Sequence, residues 1–308
     1  MRNETTKQPR KPRRLLKLIL ALVTIGGISV LVMRLMRQVV GVPLLVRWMN
    51  WAVDVTTKPT KPAPQTMPEN LGYIVVEPPK PIGDWHFTLK RAFDFTAALV
   101  LLIVMAPLLV TLAVAIRLDS KGPALFKQQR IGARRVVRNG KVHWEAHPFT
   151  MYKFRSMRQN ASSAIHEAYV KAYIKNDMSA MSEINEGNQD GAFKIKRDPR
   201  ITRIGAFIRK TSLDELPQLI NVLKGEMSLV GPRPALAYEV EEYKDWHNLR
   251  LAAIPGITGY WQAVGRNNVE FEKMIELDVY YAKNQSLWLD LKILLMTPLS
   301  VIQGKGAA

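Results

Sequence analysis

Apolar residues gather in three stretches, each set off by charged or proline-rich sequence. Residues 1–17 carry seven basic side chains against Glu4, and the apolar run Leu18–Met33 follows directly. That order predicts a basic cytoplasmic flank and a membrane segment, with a cleaved signal peptide as the bland alternative. A second run, Val39–Val53, holds Pro43, Arg47, Trp48 and Trp51, and such tryptophans suit the headgroup level. Residues 18–55 therefore read as an N-terminal membrane region, a helical hairpin or interfacial helices, with one crossing followed by an interfacial helix as the other shape that fits. Residues 56–84 are rich in proline and read as an extended linker, which places the folded domain at 85–308.

The third stretch, Phe95–Ile116, runs 22 residues without a charge and has Pro107 near its middle. At about 1.5 Å per residue a straight helix of this length just spans a hydrocarbon core. Lys90 and Arg91 precede it, however, and Arg117 and Lys121 follow it. A spanning helix would put one basic flank on the unfavoured side. A helix broken at Pro107 enters and leaves by one leaflet, while a proline-kinked spanning helix remains the alternative.

Beyond this stretch the pattern predicts an α/β domain, mainly helical with short strands. Strands are expected over 124–128 and 149–154, and helices over 163–174, 215–223, 239–246 and 269–282. Gly-Pro and Pro-Gly pairs at 122–123, 231–232 and 255–256 mark turns.

Charge and composition narrow the chemistry. Lys and Arg number 44 against 26 acids, a net charge of +18, which calls for an anionic partner. No nucleic-acid-binding motif is present, so phospholipid or a phosphorylated ligand is the better match. Cysteine is absent, removing thiol nucleophiles and thiolate metal sites. His143 and His147 lack a zinc-site context.

The run Thr211-Ser212-Leu213-Asp214-Glu215-Leu216-Pro217 places two adjacent carboxylates at a helix start. Capping is the simplest role: Ser212-x-x-Glu215 fits a capping box, while Asp214 as the cap puts Pro217 in the first turn, where its missing N–H costs nothing. A carboxylate held ionised at such a position can also attack phosphorus to form an acyl phosphate. Lys196, Arg197, Arg200, Arg203, Arg209 and Lys210 approach the pair, and Arg233 follows inside Gly231-Pro232-Arg233-Pro234. Guanidinium groups suit bidentate phosphate contacts. A non-catalytic basic adaptor on anionic lipid is the competing reading.

Six segments now occur in order: Lys90-Arg91-x-Phe93-Asp94, residues 152–157, Asp214-Glu215, residues 231–234, Pro255-Gly256-Ile257-Thr258-Gly259 and residues 277–281. Together they resemble the bacterial sugar transferases, the monotopic phosphoglycosyl transferases. The resemblance implies a re-entrant helix broken at Pro107 and a catalytic domain facing the cytoplasm at the bacterial inner membrane. It implies transfer of a sugar 1-phosphate from a nucleoside diphosphate sugar, by family habit a UDP-sugar, to undecaprenyl phosphate, with Mg²⁺ as cofactor. Asp214 matches the nucleophile and metal-holding residue, and Glu215 its catalytic partner. Lys153, Arg155, Arg209 and Arg233 match positions associated with phosphate or nucleotide, and Asp278 a supporting acid. Anionic membrane lipid is a further expected partner, nucleic acid is not, and a homo-oligomer is compatible with the family. Ile254 departs from the basic residue that some members carry before Pro-Gly-Ile-Thr-Gly.

Overall fold

The uncharged stretch forms the centre of one long helix, α1 (Asp84–Asp119), in a computed structural model that describes residues 74–77, 83–159, 164–184, 198, 200–265 and 269–302. The expected basic flank, the N-terminal membrane region and most of the linker lie outside the described residues. Helix α1 begins eleven residues before the apolar stretch and continues through Pro107. The proline leaves the Ile103 carbonyl without its ladder donor. Asp84 in the first turn and Arg117 in the last complement the helix dipole.

One face of α1 is buried, through Ala98, Leu102, Leu109, Leu112, Ala113 and Ile116. The opposite face is just as apolar: Ile103, Val104, Val110, Val114 and Leu118 are exposed. A helix packed in water would turn charged residues outward. Mean hydropathy reaches 3.0 over an 18-residue window, long and apolar enough for a membrane segment.

Both ends of α1 are tied to the globular core. At the start, Arg91 donates to the Leu223 carbonyl at 2.8 Å, and Asp94 accepts from Ser228 Oγ at 2.7 Å and Leu229 N at 3.2 Å. At the far end, Ile204 N donates to Asp119 at 3.0 Å and Arg155 to the Lys121 carbonyl at 2.8 Å. Lys90 is buried beside these contacts, 2.7 Å from Asp290 and donating to the Val230 carbonyl at 3.1 Å.

Strands β1 (Val75–Val76), β2 (Leu125–Arg138) and β3 (Lys141–Phe154) make an antiparallel sheet in the order β1-β3-β2. The two short strands expected from the apolar pattern are therefore the outer ends of one hairpin of two 14-residue strands. Asn139 and Gly140, with φ of 51° and 73°, form its left-handed turn. Two of the charges that interrupt the apolar pattern, Arg134 and Arg138, meet Glu145 across the strands at 3.2 and 2.6 Å.

Helices α2 (Ala164–Ile174) and α3 (Met178–Ile184) pack on α8 (Phe271–Lys283) through Tyr169, Tyr173, Met181 and Ile275. Helix α4 (Arg203–Lys210) leads to a 3-10 turn, Leu213–Gln218, and then α5 (Leu219–Lys224). This corrects the single helix expected over 215–223. Pro217 cannot donate to an α ladder, so regular winding begins only beyond it.

Parallel strands β4 (Ser228–Val230) and β5 (Gly256–Thr258) bracket α6 (Ala237–Glu241) and a second 3-10 turn, Asp245–Leu251. The helix expected over 239–246 is thus divided. Helices α7 (Tyr260–Val264) and α9 (Leu287–Ile302) complete the order. The main core joins the inner face of α1, the β3 residues Trp144, Phe149 and Met151, and α5 residues Leu219 and Ile220.

Candidate active site

The acidic pair stands on the 3-10 turn, and its entry is strained. Ser212 adopts φ 56°, left-handed for a residue with a Cβ, and makes no side-chain cap. Asp214 is thus inside the turn, not at the cap position the sequence suggests, since the turn opens at Leu213. A strained residue beside two carboxylates is the sort of local cost that folds retain at working sites.

Glu215 faces β3, where Lys153 Nζ lies 2.8 Å from its Oε1. Asn221 on α5 fixes this register: its amide donates to the Thr150 carbonyl at 2.7 Å and accepts from Tyr152 N at 3.1 Å. Fully buried, it sets the turn against the strand that carries Lys153.

A cleft opens here, lined by Lys153, Glu215, Arg233, Gln262 and Arg130 of β2. Arg130 is 5% exposed, donates to the Pro234 carbonyl at 3.1 Å, and shares two hydrogen bonds with Gln128. Burial, and then the charge of Arg233, push its pKa down to about 10. Two guanidinium groups held close in a partly dry cleft repel one another and favour a bound anion.

The Arg233 loop is positioned from both directions. Gly231 N donates to the Thr258 carbonyl at 2.9 Å and Gly256 N to the Pro232 carbonyl at 2.9 Å. A Cβ on Gly256 would lie 2.0 Å from Gly231 N, so that crossing excludes any side chain. From α8, Asp278 pairs with the buried Arg250, which donates to the Arg233 carbonyl at 3.0 Å. Desolvation raises the Asp278 pKa against the pull of Arg250. Asp278 therefore stands behind the cleft and acts on it through Arg250.

Arg155 is also away from the cleft. Its guanidinium donates to the carbonyls of Ser120 at 2.6 Å and Lys121 at 2.8 Å, satisfying the end of α1. Arg209, in the last turn of α4, lies outside the cleft lining, yet its charge acts on His166. His166 Nδ1 is 2.9 Å from the Tyr238 hydroxyl. Burial, then the charges of Arg130 and Arg233, lower its pKa to about 4.

An imidazole whose folded pKa lies below its unfolded value costs stability as pH falls. Stability should decline from about pH 6.5 to about pH 4 as the unfolded chain takes up the proton first. His166→Gln, which can still bond Tyr238, is expected to flatten that part of the urea-midpoint profile. An unchanged profile would place the acid sensitivity elsewhere.

Sequence reasoning missed Arg130, Asn221, His166 and Gln262. An asparagine between Ile220 and Val222 in an apolar run was the one available signal.

A mixed helix and strand domain with an apolar outer helix and a cationic cleft that holds Glu215 places the protein in a membrane-associated class. Residues 85–304 match the family described as bacterial sugar transferase, and the chain belongs to that family. It is 44% identical over 219 residues to an undecaprenyl-phosphate galactose phosphotransferase of Salmonella typhimurium, covering 71% of this chain and 41% of that protein. It is 38% identical over 233 residues to an undecaprenyl-phosphate glucose phosphotransferase of Komagataeibacter xylinus, covering 71% and 36%. The exopolysaccharide production protein ExoY of Rhizobium meliloti is 34% identical over 245 residues, covering 80% and 96%. The matched region thus spans about two fifths of the Salmonella relative and nearly all of ExoY.

Proposed function

We propose that this protein transfers a sugar 1-phosphate from a UDP-sugar to undecaprenyl phosphate, the priming step of a bacterial polysaccharide. The observation that carries the reading is Glu215 in one cleft with Lys153, Arg130 and Arg233, with Asp214 preceding it on the same turn, in a domain whose long helix turns an apolar face outward. The galactose and glucose phosphotransferase names of two relatives support a hexose.

An Asp214 carboxylate oxygen attacks the β-phosphorus of the donor, and the bond to the bridging oxygen breaks as nucleoside monophosphate leaves. The acyl phosphate so formed retains the sugar. A phosphate oxygen of undecaprenyl phosphate then attacks that phosphorus and returns Asp214 as carboxylate. Arg233 and Arg130 hold phosphoryl oxygens, and Lys153 keeps Glu215 in place. Asp278 and Arg250 fix the backbone of Arg233, and Arg209 adds to the positive field.

Asp214 and Glu215 are adjacent hard oxygen donors, which fits Mg²⁺. Among the described residues no three His, Asp or Glu gather into a metal cage, so waters and substrate phosphates would complete its shell. Bound there, the ion would supply charge neutralisation of the diphosphate.

The contacts of α1 support a shallow, re-entrant path. Asp94 and Asp119 both bond the same core, although about 37 Å of helix at 1.5 Å per residue separates them. Both contacts favour a helix that stays against the domain over one that leaves for the opposite leaflet. On this reading the catalytic domain sits on the cytoplasmic face, where a soluble donor and a headgroup-level lipid phosphate meet.

Intact-mass spectrometry after incubation with Mg²⁺ and a panel of nucleotide sugars tests the proposal. One phosphohexose should add to the chain on Asp214, with matching release of nucleoside monophosphate. Neither adduct nor release with any donor would favour the basic adaptor instead.

A further inference from the structure

Gln262, on α7, lines the cleft beside Arg233 and Glu215. Its Nε2 faces the Ile257 carbonyl at 3.4 Å, while Oε1 is shielded from solvent and accepts no hydrogen bond. A carbonyl can only accept, so the amide nitrogen belongs on that side and the oxygen is left for another donor. Gly259 keeps the amide close in: a Cβ there would meet Oε1 at 2.9 Å. A shielded acceptor without a partner costs about 1–3 kcal/mol, a cost that a ligand donor would remove.

The neighbouring groups give that oxygen a distinct task. Arg130 and Arg233 are donors that serve phosphate, and Lys153 is engaged with Glu215. None of these basic groups can accept a hydrogen bond from a hydroxyl. An uncharged acceptor can, and it distinguishes ligands by where they carry an O–H or N–H.

We infer that Gln262 Oε1 accepts a hydrogen bond from an O–H or N–H of the nucleotide sugar, making Gln262 a selectivity residue for the donor. The inference rests on the proposed reading of the cleft as the donor site. A sugar hydroxyl is one source of such a donor. The imide N–H of the base offers the same chemistry.

The test measures kcat/KM for wild type and Gln262→Leu in the full-length protein, using the active UDP-sugar, its epimers and its single-deoxy analogues, with UMP as competitor. On wild type, one deoxy analogue should lose at least about tenfold, and Gln262→Leu should lose the same factor with the parent sugar but be indifferent to that analogue. This pattern assigns the sugar hydroxyl. A tenfold weaker UMP inhibition with an unchanged sugar panel assigns the base instead and keeps the inference. If an active wild type and Gln262→Leu differ less than twofold throughout, the inference is overturned while the transferase reading stands. A wild type silent with every donor overturns both. If the leucine variant melts early, Gln262→Ala serves for both the sugar and the UMP arms.

Discussion

Asp214→Asn is expected to abolish both the covalent adduct and nucleotide release, with activity down by on the order of 10⁴-fold or more, the scale seen when a nucleophile is removed. Asparagine keeps the shape of aspartate but cannot form an acyl phosphate. The turn from Leu213 to Gln218 should persist, because it is built on backbone contacts such as Glu215 N to the Ser212 carbonyl at 3.2 Å. The melting temperature should therefore stay near that of wild type, separating lost chemistry from lost fold. Glu215→Gln provides the contrast. It weakens the 2.8 Å pair with Lys153 without removing the proposed nucleophile, so a loss nearer 10²-fold is expected and the adduct should still appear. Adduct formation on Asp214→Asn would assign the nucleophile elsewhere.

Residues that are close in sequence were legible before the fold was known. Asp214, Glu215 and Arg233 fall within twenty residues of one another, and prolines on either side of Arg233 announce a rigid loop. The apolar stretch around Pro107 was equally plain, since lack of charge over 22 residues needs no tertiary context.

Groups that reach the cleft from distant segments were not legible. Arg130 lies 103 positions from Arg233 and sits in an arginine-rich stretch that reads as a solvated surface, yet it is buried against the Pro234 carbonyl. Cross-strand pairing, invisible to a period-two search, absorbs Arg134 and Arg138 of that hairpin on Glu145. Arg155 shows the reverse error. A cation beside phosphate-like chemistry suggests a phosphate contact, but a helix C-terminus also attracts guanidinium, and the carbonyls of Ser120 and Lys121 hold it there. Sequence supplies the charge of a side chain without saying which oxygen it will meet.

Lys90→Met should cost about 3–5 kcal/mol of stability, the range for removing one partner of a buried ion pair. Lys90 is 4% exposed, Asp94 3% and Asp290 4%, and the lysine stands 2.7 Å from Asp290 and 3.9 Å from Asp94. Its loss leaves two shielded carboxylates with no cation between them. Tyr281 still donates to Asp290 at 2.7 Å and Ser228 to Asp94 at 2.7 Å, but hydrogen bonds alone do not offset two like charges in a dry site. The melting temperature in detergent should fall by roughly 10 °C for a domain of this size. The deficit should shrink as pH is lowered, because uncompensated carboxylates take up protons more readily when folded than unfolded. Lys90→Met combined with Asp290→Asn should recover part of the loss, and the size of that recovery measures the coupling. The same lysine donates to the Val230 carbonyl, one residue before the Gly231 turn that presents Arg233. A damaged Lys90 should therefore raise KM for the donor as well as lower stability, even at a temperature where the variant is fully folded. A variant that melts within about 2 °C of wild type, with KM unchanged, would mean that this buried cluster neither stabilises α1 against the core nor positions the Arg233 loop.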